Sequence, residues 1–238
     1  MPPKTRFVLI STARSGTTVV MRTLANHPDV RAHEEIFHRK RSQDDFSADF
    51  LARHDLNLRD DDPTRFAYAV LNHGDGKQCV GFKMWPGQEK STCDTLLRDP
   101  NIHKIVLERK NKLGGFTSRE LARASGVWHR QSDDKAGNSG MIHFDEAAFR
   151  KFVRNQTRRF ADVADRAVGP CLFISYSDIL AGYFGQIVAF LGLAEQDLSA
   201  PLAKINSTHL LDRFVPEDRD QVRAVLDDLG HADWTIER

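Results

Sequence analysis

One stretch, residues 7–25, constrains the chain more than any other. Phe7-Val-Leu-Ile10 is apolar at every position, which is the pattern of a strand buried on both faces. Ser11-Thr-Ala-Arg-Ser-Gly-Thr-Thr18 follows, made mostly of small and hydroxyl residues. Val20 and Leu24 then repeat at helical spacing until His27-Pro28 stops the run. Strand, small-residue loop and helix form the opening half of a βαβ unit.

The alternation continues. Gln78-Cys-Val-Gly-Phe-Lys-Met84 reads as a strand after the Gly74-Asp-Gly76 turn, and so do Lys104-Ile-Val-Leu-Glu-Arg109 and Cys171-Leu-Phe-Ile-Ser175. Helices are expected at roughly 88–98, 112–126, 145–167 and 177–191. The third carries Phe149, Phe152, Val153, Phe160, Val163 and Ala167 on one stripe, with charges opposite. Strands alternating with helices predict an α/β fold, a central parallel β-sheet flanked by helices. No linker or repeat divides the chain, so residues 1–238 are expected to form a single domain. Residues 39–65, with one helical patch from Phe46 to Leu51, and residues 129–140 read as surface loops or lids.

Charge narrows the partner. Lys and Arg number 34 against 33 Asp and Glu, a formal net of +1, so a dedicated nucleic-acid or membrane-surface binder is not expected. An anionic ligand would have to be met by a local pocket. Cys79, Cys93 and Cys171 are too few and too scattered for a disulfide framework or a zinc site. The ten histidines, His27, His33, His38 and His54 among them, fit no compact ligand motif, and no metal is expected. There is no apolar run near the ~20 residues that span a bilayer and no signal-type core before Ser11, so the expectation is a cytoplasmic protein without stable membrane insertion.

The turn after the first strand is where chemistry is expected. A helix N-terminus presents amide N–H groups and partial positive charge. Ser15, Thr17 and Thr18 add hydroxyls, Gly16 lets the backbone approach closely, and Arg14 adds a full charge. A single helix cap needs only one such residue, so the set reads as a cradle for a phosphate or a similar oxyanion. It is not a Walker A loop, since no Gly-Lys-Ser/Thr occurs, and no Gly-x-Gly-x-x-Gly follows a strand. Nor is there the Gly-x-Ser-x-Gly of a serine hydrolase.

Phe7-Val-Leu-Ile-Ser-Thr-Ala-Arg-Ser-Gly-Thr-Thr18 resembles the 5′-phosphosulfate loop of sulfotransferases, with Ala13 where that family often has proline. Lys104-Ile-Val-Leu-Glu-Arg-Lys-Asn-Lys-Leu-Gly-Gly-Phe-Thr-Ser118 is similar to the family's 3′-phosphate motif. Val80-Gly-Phe-Lys-Met84 looks like its Gly-Phe-Lys strand, and Ile174-Ser-Tyr-Ser-Asp-Ile-Leu180 like its Tyr-Glu-Asp-Leu segment. The resemblance runs from residue 7 to about 193, is nearest to bacterial carbohydrate sulfotransferases, and is weakest over 39–76 and 127–145.

The resemblance implies 3′-phosphoadenosine 5′-phosphosulfate (PAPS) as co-substrate and a carbohydrate or glycolipid hydroxyl as acceptor. Arg14, Ser15, Gly16, Thr17 and Thr18 would hold the phosphosulfate. Arg109 or Lys110, with Ser118 or Thr117, would hold the 3′-phosphate. Lys83 would touch the transferring sulfate, and Glu35 would be the general base, with Glu34 and His33 as alternatives. On an extended segment adjacent side chains point opposite ways, so only one of Glu34 and Glu35 is expected to face the cleft. Two other readings stand beside this one: a small-molecule kinase with a degenerate phosphate loop, and a nucleotide- or glycan-binding module without turnover. Phe37, Phe46, Trp85 and Trp128 suit either sugar stacking or a core. The acceptor, the oligomeric state and the role of residues 200–238 are not legible.

Overall fold

Thr5–Ile10 (β1), Val30–His33 (β2), Cys79–Met84 (β3), His103–Glu108 (β4) and Cys171–Ser175 (β5) make one sheet, all parallel, in the order β2-β3-β1-β4-β5. The computed structural model describes residues 3–38, 45–126, 140–196, 198 and 208–237. The chain divides into two compact units, Met1–Glu108 with Ala161–Ala200, and Arg109–Phe160 with Pro201–Arg238. The sheet belongs to the first.

Both faces of the sheet are covered, as the apolar runs require. Thr17–Ala25 (α1), Tyr176–Leu180 (α8) and Gly185–Phe190 (α9) send Val20, Leu24, Ile179, Ile187 and Val188 against Phe7 and Leu9 of β1 and against Ile105, Leu107 and Ile174. Pro63–Asn72 (α4) packs on the other face, against β3 and β1, through Phe66, Ala67, Val70 and Leu71. Lys90–Arg98 (α5) lies beside α4. From β1 the chain passes to the β2–β3 side and only later to β4 and β5. Strand order therefore reverses at β1, and the C-terminal end of β1 marks the crevice where open parallel sheets bind ligands.

The expected α/β architecture and four expected strands are present. β2 is an element that the sequence pattern does not predict. Four residues are too few to display a period, and what makes them a strand is their pairing with β3, Val30 beside Cys79 and His33 beside Phe82. The expected 177–191 helix is two, α8 and α9, with Gly182 at φ 79° between them. Of the expected 39–65 loop, residues 39–44 lie outside the described residues. The rest contains Ala48–Arg53 (α2), capped by Ser47, and Leu58–Asp61 (α3), and leads into α4. Asp62 accepts from the Arg65 amide at 3.0 Å and Pro63 opens α4, a start signal that was present in the sequence.

The second unit is built on Lys112–Ser125 (α6), the N-terminal part of Glu146–Arg166 (α7), and Arg219–Asp228 (α10). Phe116, Phe149, Phe152, Leu210, Phe214 and Val222 are buried together. The expected 129–140 loop lies outside the described residues except for Gly140, as do Trp128 and residues 199–207. Among the described residues no helix is long and apolar enough to cross a membrane.

Candidate active site

The loop after β1 is pinned before it turns. The Ser11 amide donates to the Met84 carbonyl at 3.3 Å and the Ser11 hydroxyl to the Leu107 carbonyl at 2.6 Å, so β3 and β4 both hold its first residue. Thr12 and Ser15 hydroxyls lie 3.3 Å apart. Arg14, at φ 67°, and Gly16, at φ 86°, take left-handed conformations, uncommon for any residue but glycine. Gly16 is the N-cap of α1 and supplies no side chain to it; its carbonyl accepts from Val19 and Val20. The N-terminus of α1 thus has no side-chain cap from its N-cap residue, with Thr17 and Thr18 in its first turn. Gly16 also lies against an aromatic ring. A Cβ there would stand 2.9 Å from Cδ2 and Cε2 of Tyr176. Tyr176 opens α8, whose start is set by a capping box between Ser175 and Asp178.

Lys83 joins this loop to two carboxylates. It is the neighbour of Leu9 across the sheet, so its side chain rises on the α1 face. Its Nζ donates to Thr18 Oγ1 at 2.9 Å, ion-pairs with Glu34, and stands 3.7 Å from Glu35 Oε1. The Lys83 side chain is only 4% exposed, against 41% for Glu34 and 12% for Glu35. The expectation that only one of the two carboxylates faces inward is corrected here. β2 stops at His33, Ile36 and Phe37 turn, and His38 N donates to the Glu35 carbonyl at 3.0 Å. Strand alternation has ended before residue 34, and both carboxylates reach one ammonium. His33 still obeys it. Beside Phe82, it faces the opposite side of the sheet from Lys83, with its ring 5.8 Å from that of Phe46.

Phe37 and Phe46 join an aromatic cluster with Phe66, Phe50 and Phe82. Trp85 is half-buried. The structure brings together Asp49, His73 and Asp75, a grouping the histidine spacing did not suggest, with Arg31 3.7 Å from Asp75.

In the second unit, Arg109 follows the last residue of β4. Its Nε donates to Glu237 Oε1 at 3.1 Å and its Nη2 to Glu237 Oε2, and both side chains are buried. A Cβ at Gly114 would overlap the Glu237 carboxylate, which lies at the N-terminal turn of α6. Asn111 caps α6 through the Gly114 amide at 3.0 Å. Its Nδ2 donates to the carbonyls of Trp234 and Ile236, tying the C-terminal segment to the same turn. Thr117 is fully buried; its hydroxyl donates to the Leu113 carbonyl and accepts from Arg213 Nη1, both at 2.9 Å. Ser118 is buried and Lys110 exposed.

Arg14 to Thr18, Lys83, Glu34 and Glu35 therefore lie in one unit, Arg109, Lys110, Thr117 and Ser118 in the other. Sequence reasoning missed Gln88, Tyr176 as the cover of Gly16, and Glu237. Gln88 Nε2 donates to Glu35 Oε2 at 2.6 Å. The Trp85-Pro-Gly-Gln88 turn was the available signal, because it doubles the chain back at the end of β3.

No protein-family model matches the chain, and no curated protein matches it. Among solved structures it is similar to the sulfotransferase domain from the curacin biosynthetic pathway, at 12% identity over 97% of this chain and 99% of that one, with a TM-score of 0.51. It is also similar to a sulfotransferase from Alicyclobacillus acidocaldarius, at 16% identity over 98% and 99% of the two chains, TM-score 0.49. A mouse sulfotransferase complexed with PAP aligns at 11% identity over 97% and 86%, TM-score 0.48. What the chain shares with the curacin-pathway domain is its fold.

Proposed function

We propose that this chain is a PAPS-dependent sulfotransferase acting on a hydroxyl of a carbohydrate or glycolipid. The observation that carries the reading is the Lys83 ammonium, buried between Thr18 of the anion-type loop and the carboxylates of Glu34 and Glu35. Transfer of a sulfuryl group needs cationic and N–H donors around the donor's leaving oxygen and a base on the acceptor hydroxyl. This cluster holds both within reach of one side chain.

The residues fit the donor. Gly16 has no Cβ to fill the space beside Tyr176, the α1 N-terminus carries no side-chain cap, and Arg14 adds charge to the loop. PAPS, when bound, supplies the sulfuryl group and a phosphate leaving group. In our reading Arg14, Ser15, Gly16, Thr17 and Thr18 bind its 5′ end, and Arg109 or Lys110 with Ser118 or Thr117 its 3′-phosphate. Glu35 takes the acceptor proton as the acceptor O–S bond forms and the S–O bond to the 5′-phosphate breaks. The electron pair leaves on the phosphate oxygen. Lys83 and the α1 N-terminus oppose the charge growing there. By analogy with phosphoryl transfer, positioning and electrostatics do most of this work.

The test has two parts. Titration with PAP should raise the melting temperature without added metal, and labelled sulfate should pass from PAPS to members of a panel of glycans and glycolipids. Glu35→Gln should abolish transfer and spare PAP binding. No thermal shift at saturating PAP would overturn the reading, and a shift with magnesium and ATP instead would favour a kinase.

A further inference from the structure

The geometry points to Gln88 as a positioning residue that holds the Glu35 carboxylate in one orientation. This rests on the reading of Glu35 as the base, and it assigns a role to a residue outside the anion loop and outside the Lys83 cluster.

Four contacts carry it. Gln88 Nε2 donates to Glu35 Oε2 at 2.6 Å, while Lys83 faces the other carboxylate oxygen at 3.7 Å. Gln88 Oε1 accepts from the Trp85 amide at 3.0 Å, and the Gln88 amide donates to the Trp85 carbonyl at 3.0 Å. The last two close a reciprocal turn across Pro86 and Gly87. A backbone N–H meets only an acceptor, so the Trp85 amide dictates which end of the Gln88 side chain is oxygen. The NH₂ group is thereby forced toward Glu35. The turn is short, contains a proline of fixed φ, and starts at the residue after β3. Gln88 is thus tied by two hydrogen bonds to the residue that follows the strand carrying Lys83.

Glu35 sits beyond the end of β2, two residues past its last strand residue. A donor on one oxygen and an ammonium facing the other fix the carboxylate plane. Charged groups facing Glu35 include Lys83 and, across that ammonium, Glu34. A general base acts only when its lone pair points at the proton it takes, so loss of the clamp should fall on turnover rather than on donor binding.

The test uses two variants of the full chain. Gln88→Glu is isosteric and still accepts from the Trp85 amide, but it sets a carboxylate against Glu35. Gln88→Met removes both ends. Both should bind PAP within about twofold of wild type, and both should lose about tenfold to a hundredfold in kcat. The acid limb of the Gln88→Glu pH profile should move to higher pH, because two facing carboxylates share a proton. Carbon NMR of the Glu35 carboxyl reads the same contact without activity, and its titration should shift upward in Gln88→Glu. A merely structural role predicts full turnover in the isosteric variant. Transfer intact with an unmoved Glu35 titration overturns the clamp alone. A wild-type chain that binds no PAP and transfers no sulfate overturns the sulfotransferase reading and, with it, the catalytic meaning of the clamp.

Discussion

Glu237 faces Arg109 through both carboxylate oxygens, Oε1 lying 3.1 Å from Nε, in a pocket that leaves each side chain less than a tenth exposed. Planar, two-pronged pairing of this kind is how guanidinium binds carboxylate and phosphate alike. If Arg109 takes the 3′-phosphate, that phosphate and the Glu237 carboxylate compete for one guanidinium. Glu237→Gln is expected to tighten PAP binding by about tenfold, roughly 1.4 kcal/mol. The same variant should lower the melting temperature of the ligand-free chain, since a buried charge loses its partner, a loss that typically costs about 3–5 kcal/mol. Calorimetric titration with PAP reads the first effect and a thermal scan the second. Weaker PAP binding in the variant would show that Glu237 supports the site rather than occupying it.

Replacing Lys83 separates its electrostatic role from its structural one. Lys83→Met should cut transfer by about a hundredfold to a thousandfold, the usual cost of losing one preorganised donor at a developing charge. It should also destabilise the fold, because Glu34 and Glu35 would face each other without the ammonium. Lys83→Met combined with Glu34→Gln should recover part of that stability and none of the turnover. A double-mutant cycle in urea, run beside transfer assays, measures the coupling.

Gly16 meets two constraints, a φ of 86° and the Tyr176 ring. Gly16→Ala is expected to cost about 1–2 kcal/mol from backbone conformation alone, with a further loss from the ring contact. Adding Tyr176→Ala should relieve only the second part. Urea unfolding of the single and double variants distinguishes the two, and equal stability of Gly16→Ala and wild type would refute the constraint.

Stability should fall on mild acidification. Burial, then the charge of Lys104, holds His103 below its ordinary 6.5. Burial followed by the charges of His73, Arg53 and Arg65 does the same for His54. A histidine whose folded value is lowered contributes stability that is complete above the unfolded value of 6.5 and is lost as pH falls through the folded one, because the unfolded chain binds the proton first. The lowered carboxylates, Asp75, Asp94 and Asp99, start from 3.8 and act in a more acidic range. Urea midpoints should therefore drop as pH falls through and below 6.5, and the drop should shrink when His54 and His103 are replaced by Gln. An identical slope in that variant would remove both residues from the effect.

Four of the five strands, the long α7 and the strand–turn–helix at β1 and α1 were legible because each is written in local pattern: apolar runs, a 3.6-residue stripe, small residues between strand and helix. β2 was not, since four residues become a strand only by lying beside β3. The start of α4 was legible in Asp62-Pro63 and was masked by the charged residues before it.

The site divides the same way. The residue types came from the sequence by itself: a hydroxyl-rich turn with Arg14, a strand-end Lys83, a carboxylate pair at 34 and 35, and Arg109 after a later strand. Tertiary structure decided which of them meet. Sheet register set Lys83 beside Leu9 on the α1 face, the end of β2 let both carboxylates turn to one ammonium, and the Trp85–Gln88 turn brought an amide to Glu35. Glu237 reaches Arg109 across more than a hundred intervening residues. Periodicity reports only the faces of one element, whereas these contacts join elements that neighbour each other in space alone, and no local pattern encodes them.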